Sequence, residues 1–463
     1  MNKAHARPHS DVTSRQVALT IVDLVMQSDN EMAVDWLDQH FKRLSIPWRD
    51  RALITELVYG TIRRILTLDW MLARYTFHRV KDHLLKNILR LGVYQIYFLD
   101  RVPVYAIVNE MVQIAKYSMG EPKARFVNAV LRRAAAKDIP LTETGLKAMS
   151  DMSPLRILSV AHAMPLWLLE RWRSVYSQEE IRQMCLASNA TPTIFIRANT
   201  NKIRVDELKT ILEQEGAQAT LAQDPRMLKL RPPKSIESLD SFRKGFFFVQ
   251  DPMTLRIVDF MQVDPSETIL DMCAAPGGKS FAIEGETGRG ENIVALEKNP
   301  SRLQLARENA QRLGSKVRWM EFDRFQVEDQ VKFDKILLDA PCSNQGVFAR
   351  RVEARWRLSP ERIEKLTRLQ HELLEDAKSR LKLGGAIYYS TCSIDAVEDE
   401  GVVQSFLKSH KSWVCEKSLK ILPEAGKNDG GFVARLVYTK VGKIDGREKG
   451  RKGSQGKGRP QAG

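Results

Sequence analysis

Thr268-Ile269-Leu270-Asp271, running into Met272-Cys273-Ala274-Ala275-Pro276-Gly277-Gly278-Lys279-Ser280, is the stretch that decides the fold. A short apolar run followed by small residues and a glycine pair reads as a buried strand feeding a tight loop. Further strand signals follow at Ile293-Val294-Ala295-Leu296, Val317 to Phe322, Ile336-Leu337-Leu338, Ala386 to Tyr389 and Phe432 to Val437. Helical patterns separate the first five of these runs. That alternation predicts a mostly parallel sheet with helices on both faces, an α/β Rossmann-like domain. In such open sheets ligands bind in the crevice outside the carboxyl ends of the strands.

The loop after the first strand matches neither GxGxxG nor GxxxxGK[ST], so a site for dinucleotide or nucleoside triphosphate phosphates is not supported. The pair Gly277-Gly278 alone would mark any turn. Glu297 strengthens the reading, because an acidic residue at the end of the second strand can accept hydrogen bonds from both ribose hydroxyls. Asp323, just past the third strand, is another polar group on the same rim. Cys273, Ala274, Ala275, Pro276, Gly277, Gly278 and Lys279 with Glu297 and Asp323 suit an adenosine that carries no phosphate, and S-adenosylmethionine fits.

Two cysteines say what such a donor would act on. Cys342 lies in Asp339-Ala340-Pro341-Cys342-Ser343 and Cys392 in Ser390-Thr391-Cys392-Ser393, each just after an apolar run. Free cysteine is among the most buried residue types, and two structural thiols are the plain alternative. Their shared place at strand ends beside a nucleoside-type loop favours catalysis. A thiolate is a strong nucleophile. Added to carbon 6 of cytosine, it makes carbon 5 carbanion-like and able to take a methyl from a sulfonium. Asp339 could protonate or hydrogen-bond N3 in that step, and a second thiol could assist the closing elimination.

Outward from this core the pattern changes. Residues 1–140 carry helical spacing only: Val17 to Val25 behind a Thr13 or Ser14 cap, Arg49 to Leu72, Leu84 to Leu99, Ala106 to Tyr117 and Phe126 to Ala136. Residues 141–250 read as more helices, then a small α+β unit with strands at Thr193–Arg197, Ala217–Leu221 and Met227–Leu230. Residues 251–440 hold the α/β domain. From Gly442 the tail has seven glycines among basic residues, and 441–463 is expected to be disordered.

Net charge is +15, and it sits at the ends. Residues 1–140 hold 21 Lys/Arg against 14 Asp/Glu, and residues 440–463 hold 8 against 2. Basic flanks on a near-neutral middle point to an anionic polymer, and RNA is the expected partner. Arg350, Arg351, Arg355 and Arg357, after the Cys342 loop, are read either as contacts to the RNA strand or as a solvated helix start. Five cysteines without CxxC spacing argue against a disulfide framework, and the scattered histidines against a metal site. No signal peptide or spanning segment is evident, so a cytoplasmic protein, not membrane-bound and monomeric, is expected.

These residues carry a family likeness. The chain resembles the RNA cytosine-C5 methyltransferases of the Nop2/Sun (Fmu) group, on Asp271 to Lys279, Asp339-Ala340-Pro341-Cys342-Ser343 and Thr391-Cys392-Ser393. Phe248-Val249-Gln250-Asp251 and Asp429-Gly430-Gly431-Phe432 look like further blocks of it. Residues 10–137 are similar to the NusB-type helical RNA-binding domain, an arrangement found in the bacterial small-subunit rRNA members. The resemblance implies Cys392 as nucleophile and Cys342 as the thiol that aids product release. It implies Cys273 to Lys279, Glu297, Asp323 and Asp339 as cofactor contacts, with Lys279 and Asp339 also near the target base. After Cys342-Ser343 the family usually has Gly-Thr or Gly-Ser, where this chain has Asn344-Gln345. Two other readings stand beside 16S rRNA methylation: the same chemistry on tRNA, and a non-catalytic ribosome-assembly factor.

Overall fold

A computed structural model describes residues 12–328 and 331–439; the basic tail of 441–463 lies outside the described residues. The first part is helical. Ser14–Gln27 starts at Thr13, whose side chain caps Gln16 N while the Gln16 side chain caps Thr13 in return. The helices Ala33–Arg43, Trp48–Arg63, Ile65–Tyr75, His83–Phe98, Val104–Met119 and Glu121–Ala134 complete one core, with Ile21, Leu57, Ile88 and Val127 fully buried. The long run expected from Arg49 to Leu72 breaks at Arg64, whose N–H bonds back to Gly60 and Thr61 carbonyls. The helix Ala33–Arg43 was not legible: only Ala33 and Leu37 of it are buried, too few to give a stripe.

Helices Pro154–His162, Leu166–Arg173 and Gln178–Asn189 lead into a four-stranded antiparallel sheet. Its strands are β1 (Ile194–Ala198), β2 (Gln218–Leu221), β3 (Met227–Arg231) and β4 (Phe247–Val249), in the order β2-β3-β1-β4. Strand β4 falls in the Phe248-Val249 block and carries three residues, too few for alternation to register.

The large sheet holds β5 (Ile269–Asp271), β6 (Ile293–Glu297), β7 (Arg318–Glu321), β8 (Phe333–Asp339), β9 (Leu381–Thr391), β10 (Trp413–Ile421) and β11 (Gly431–Tyr438). Their order is β10-β11-β9-β8-β5-β6-β7. The first five are parallel, while β11 and β10 run antiparallel at one edge. Strands β5 and β6 are buried throughout, as sheets covered on both faces require. The chain winds from β5 to β7 on one side, then returns to place β8 against β5. That reversal is the topological switch point, where the crevice opens. Strand β9 starts at Leu381, earlier than the expected Ala386, because Gly384-Gly385 lies in an irregularity between the Phe333–Leu381 and Lys335–Ala386 pairs. Strand β10 was missed: its burial is broken by half-exposed and charged positions.

One segment locks the parts together. Val352 joins the helical core. Trp356 Nε1 donates to Ile62 O at 2.8 Å, and Arg357 Nη2 to Glu31 O at 2.7 Å and Val25 O at 2.9 Å. Arg355 is fully buried and donates to Ser188 O at 2.7 Å and Asn189 Oδ1 at 3.1 Å. Arg350 pairs with Asp429 and Asp251. The solvated-start reading of this segment, and a free role for Arg350, Arg355 and Arg357 on RNA, are therefore corrected. Carbonyls and carboxylates of three regions already occupy these guanidiniums, which suit such fork-shaped pairing. Among the described residues, no helix is long and apolar enough to cross a membrane.

Candidate active site

Strand β5 delivers Asp271 and then the Cys273–Lys279 loop. Asp271 is fully buried, and its Oδ2 accepts from Ser280 Oγ at 2.7 Å. Burial pushes its carboxyl up to about 7, and Oδ1 has no partner. Gly277 has φ +107°, and a Cβ there would meet the Phe281 ring at 2.2 Å. This glycine is thus required by the turn into the helix Gly278–Thr287 and by the ring packed under it. Gln250 Nε2 donates to Gly278 O at 2.6 Å and accepts Arg197 Nε through its own oxygen, so the small sheet braces the loop.

Strand β6 ends at Glu297, which is buried. Its Oε1 accepts from Asn299 N at 2.9 Å, while Oε2 has no hydrogen-bond partner. Arg302 Nη1 stands 3.3 Å from Oε2 without hydrogen-bond alignment, and another nitrogen of Arg302 donates to Ala275 O. A buried acceptor left open is costly, and a ribose hydroxyl would satisfy it. The donor set at this rim therefore fits an adenosine. Asp323 is exposed in the first turn of the helix Phe322–Glu328, beside the end of β7. The Cys273 thiol is pushed up by burial and then by Asp339, Asp271 and Glu297, which makes it a poor nucleophile.

Strands β8 and β9 are neighbours with Asp339 opposite Ser390, so the loops that follow carry the two thiols together. Cys342 Sγ and Cys392 Sγ are 3.2 Å apart. The Cys392 thiol is lowered, first by its hydrogen bond with Cys342 and then, against burial, by Arg351 and Lys279. Cys342 is held well above the usual thiol range by the same hydrogen bond, by burial and by the charge on Cys392. The two thiols titrate as a coupled pair, in which Cys392 is the more readily ionised and Cys342 the more firmly protonated. Lys279 Nζ donates to Asp339 Oδ2 at 2.7 Å; burial alone would lower the Lys279 ammonium, but Asp339 keeps it raised. Cys342, Cys392, Asp339 and Lys279 thus form one cluster, with Glu297 and Asp323 along the rim.

Sequence reasoning missed the group that joins the two loops. Glu398, in a π-helical turn Val397–Gly401, is fully buried. Its carboxylate accepts from Ser343 N at 2.9 Å, Ser393 Oγ at 2.7 Å, Gln370 Nε2 at 3.2 Å and Ser343 Oγ. Each serine directly follows one of the cysteines, so one carboxylate sets their separation. Asn344 stands where the family usually has a small residue. Its Oδ1 accepts from Cys392 Sγ at 3.2 Å and from Arg351 Nη1 at 2.7 Å. Among the described residues, no group of three or more His, Cys, Asp or Glu could hold a metal ion.

Three family models match the chain: NusB family over residues 12–136, a ferredoxin-like domain of RsmF/B-like methyltransferases over 164–237, and 16S rRNA methyltransferase RsmB/F over 258–437. A probable ribosomal RNA small subunit methyltransferase B from Synechocystis is 31% identical over 92% of this chain and 99% of its own length. The chain belongs to the ribosomal RNA small subunit methyltransferase B family. A Bacillus subtilis protein of the same description is 32% identical over 81% of this chain and 84% of its own. Among solved structures, a methyltransferase homolog protein from Pyrococcus horikoshii is 26% identical with TM-score 0.52, covering 62% of this chain and 99% of that one. The solved protein PH0851, at 22% identity, shares the fold over 94% of this chain and 100% of that one with TM-score 0.75. As in the rest of this methyltransferase family, the donor is S-adenosylmethionine.

Proposed function

We propose that the protein transfers a methyl group from S-adenosylmethionine to carbon 5 of a cytosine in 16S rRNA, through a covalent bond between Cys392 and carbon 6. One observation carries this reading: two sulfurs 3.2 Å apart at neighbouring strand ends, with Cys392 lowered and Cys342 raised.

The target base is turned out of its stack into the crevice. The Cys392 thiolate adds to carbon 6, and Asp339, carrying a proton beside Lys279, gives it to N3 as electron density moves into the ring and takes it back when the 5,6 double bond re-forms. S-adenosylmethionine supplies the methyl as an activated sulfonium, and carbon 5 takes it. Cys392 sulfur now lies in a neutral C–S bond. The charge and hydrogen bond of Cys392 that held Cys342 up have gone, which eases loss of its proton to solvent, although burial still opposes it. As a thiolate it removes the proton on carbon 5. The electron pair re-forms the 5,6 double bond, the C6–S bond breaks, and Cys392 leaves as a thiolate.

Glu297 and the Cys273–Lys279 loop hold the adenosine side of the donor, with Asp323 on the rim. The NusB-like domain and the basic flanks attract the RNA backbone. The test is incubation with labelled S-adenosylmethionine and unmodified small-subunit rRNA, followed by nucleoside analysis. Labelled 5-methylcytidine is expected. Label on another atom of the base, or on tRNA alone, would contradict the reading.

A further inference from the structure

Where the family usually has Gly-Thr or Gly-Ser, this chain has Asn344-Gln345. Asn344 takes the left-handed backbone conformation, φ +59°, which asparagine tolerates better than most residues. Its carboxamide is held at both ends. Nδ2 donates to Cys342 O at 3.0 Å, and Oδ1 accepts Arg351 Nη1 at 2.7 Å. With its orientation fixed by two different partners, Oδ1 is left 3.2 Å from Cys392 Sγ. The chain Arg351–Asn344–Cys392 thus spans both cysteine loops and the segment that packs on the helical domain.

We propose that Asn344 and Arg351 are a positioning pair for the nucleophile: Arg351 fixes the Asn344 carboxamide, whose Oδ1 accepts the Cys392 S–H and so aims the sulfur before it ionises, while the guanidinium sets a permanent positive charge beside it. The proposal rests on the reading of Cys392 as the attacking thiol. The charged and titratable groups facing that sulfur are Cys342, Arg351, Asp339 and Lys279. Lys279 is already neutralised by its contact with Asp339 at 2.7 Å. Arg351 is half-buried and, among the described residues, makes no ion pair; Glu353 is the acidic group that feels its charge, without a direct contact. Asn344 cannot supply charge; its part is geometry. Arg351 also lines a groove of about 650 Å³ between the helical and catalytic domains, with Tyr59, Arg63 and Ile194, on which RNA could act. The reactivity test is therefore run without RNA.

The full-length protein is alkylated with iodoacetamide across a pH series, and the rate at Cys392 is read from its own peptide by mass spectrometry. Arg351→Gln keeps an amide for Asn344 and removes the charge; the midpoint for Cys392 is expected to rise by about one pH unit. Arg351→Lys restores charge and should bring the midpoint back toward that of the parent. Asn344→Gly is conformationally safe at positive φ and, by removing the acceptor of the Cys392 S–H, should move the midpoint slightly down rather than up. It should lower the single-turnover methylation rate about tenfold with RNA affinity unchanged. An unchanged midpoint in Arg351→Gln, in protein that melts like the parent, would overturn the proposal. So would two variants that only weaken RNA binding. Alkylation does not require methyl transfer, so full activity in Cys392→Ala would sink the nucleophile assignment separately.

Discussion

Replacing Glu398 by alanine removes the one carboxylate that both cysteine loops share. Four donors lose their acceptor at once: Ser343 N, Ser343 Oγ, Ser393 Oγ and Gln370 Nε2. The two hydroxyls can turn to each other, since their oxygens are already 3.2 Å apart, and Gln370 keeps its bond to Pro341 O at 2.9 Å. The Ser343 amide has no such alternative. An unsatisfied buried donor costs about 1–3 kcal/mol, and loss of a buried charged acceptor with its packing brings the total to about 3–5 kcal/mol. Burial raises the Glu398 carboxyl, which discounts part of that figure because its charge is already disfavoured. Glu398→Gln keeps the shape and one oxygen and lets its amide donate to the hydroxyls, so a loss of only about 1–2 kcal/mol is expected. Urea unfolding of both variants gives the stabilities. Single-turnover methylation, run well below the melting temperature, gives the second readout. Displacement of either thiol by about 1 Å should cost Glu398→Ala about 100-fold in rate, with little change in donor affinity. A variant as stable and as fast as the parent would refute the claim that this carboxylate sets the sulfur–sulfur distance.

Three further outcomes follow from the same geometry. Glu297→Ala should weaken S-adenosylmethionine binding about 10- to 100-fold by calorimetry while leaving RNA affinity unchanged, because it removes the open acceptor Oε2. Burial holds the Asp271 carboxyl up at about 7 in the folded protein, well above the ordinary carboxylate range. Its contribution is intact below about pH 4 and is lost as pH rises toward 7, so Asp271→Asn should gain on the parent by up to about 4 kcal/mol between denaturant titrations at pH 4 and pH 8; a constant difference would refute this. Arg357→Ala should loosen the helical domain from the catalytic domain, seen as faster limited proteolysis between them, since it removes two bonds to Val25 and Glu31 carbonyls.

How much of this was legible depended on the length and face of each element. The runs at Ile269, Ile293, Ile336 and Ala386 are continuous and buried on both faces, so the parallel sheet and its strand-end crevice could be read directly. The cysteines, Lys279 and Asp339 followed from their place after those strands. Glu398 did not, because nothing in the pattern after Thr391-Cys392-Ser393 shows that a π-helical turn folds it back under both loops. The arginines after Cys342 misled because basic residues outside apolar runs read as surface. Arg355 is buried through carbonyls of residues up to 192 positions away, which only the assembled fold supplies. Asn344 stood out by its departure from a pattern, yet its contact to Cys392 depends on Arg351 and on left-handed backbone that spacing cannot reveal.

The most direct measurement of the unequal roles of the two thiols is adduct trapping. Cys342→Ala, Cys392→Ala and the parent are each incubated with S-adenosylmethionine and unmodified small-subunit rRNA, then separated under denaturing conditions. Cys342→Ala should carry RNA as a covalent complex because elimination is blocked, while Cys392→Ala should carry none and form no 5-methylcytidine. An adduct on Cys392→Ala that is missing from Cys342→Ala would contradict the account and exchange the two roles.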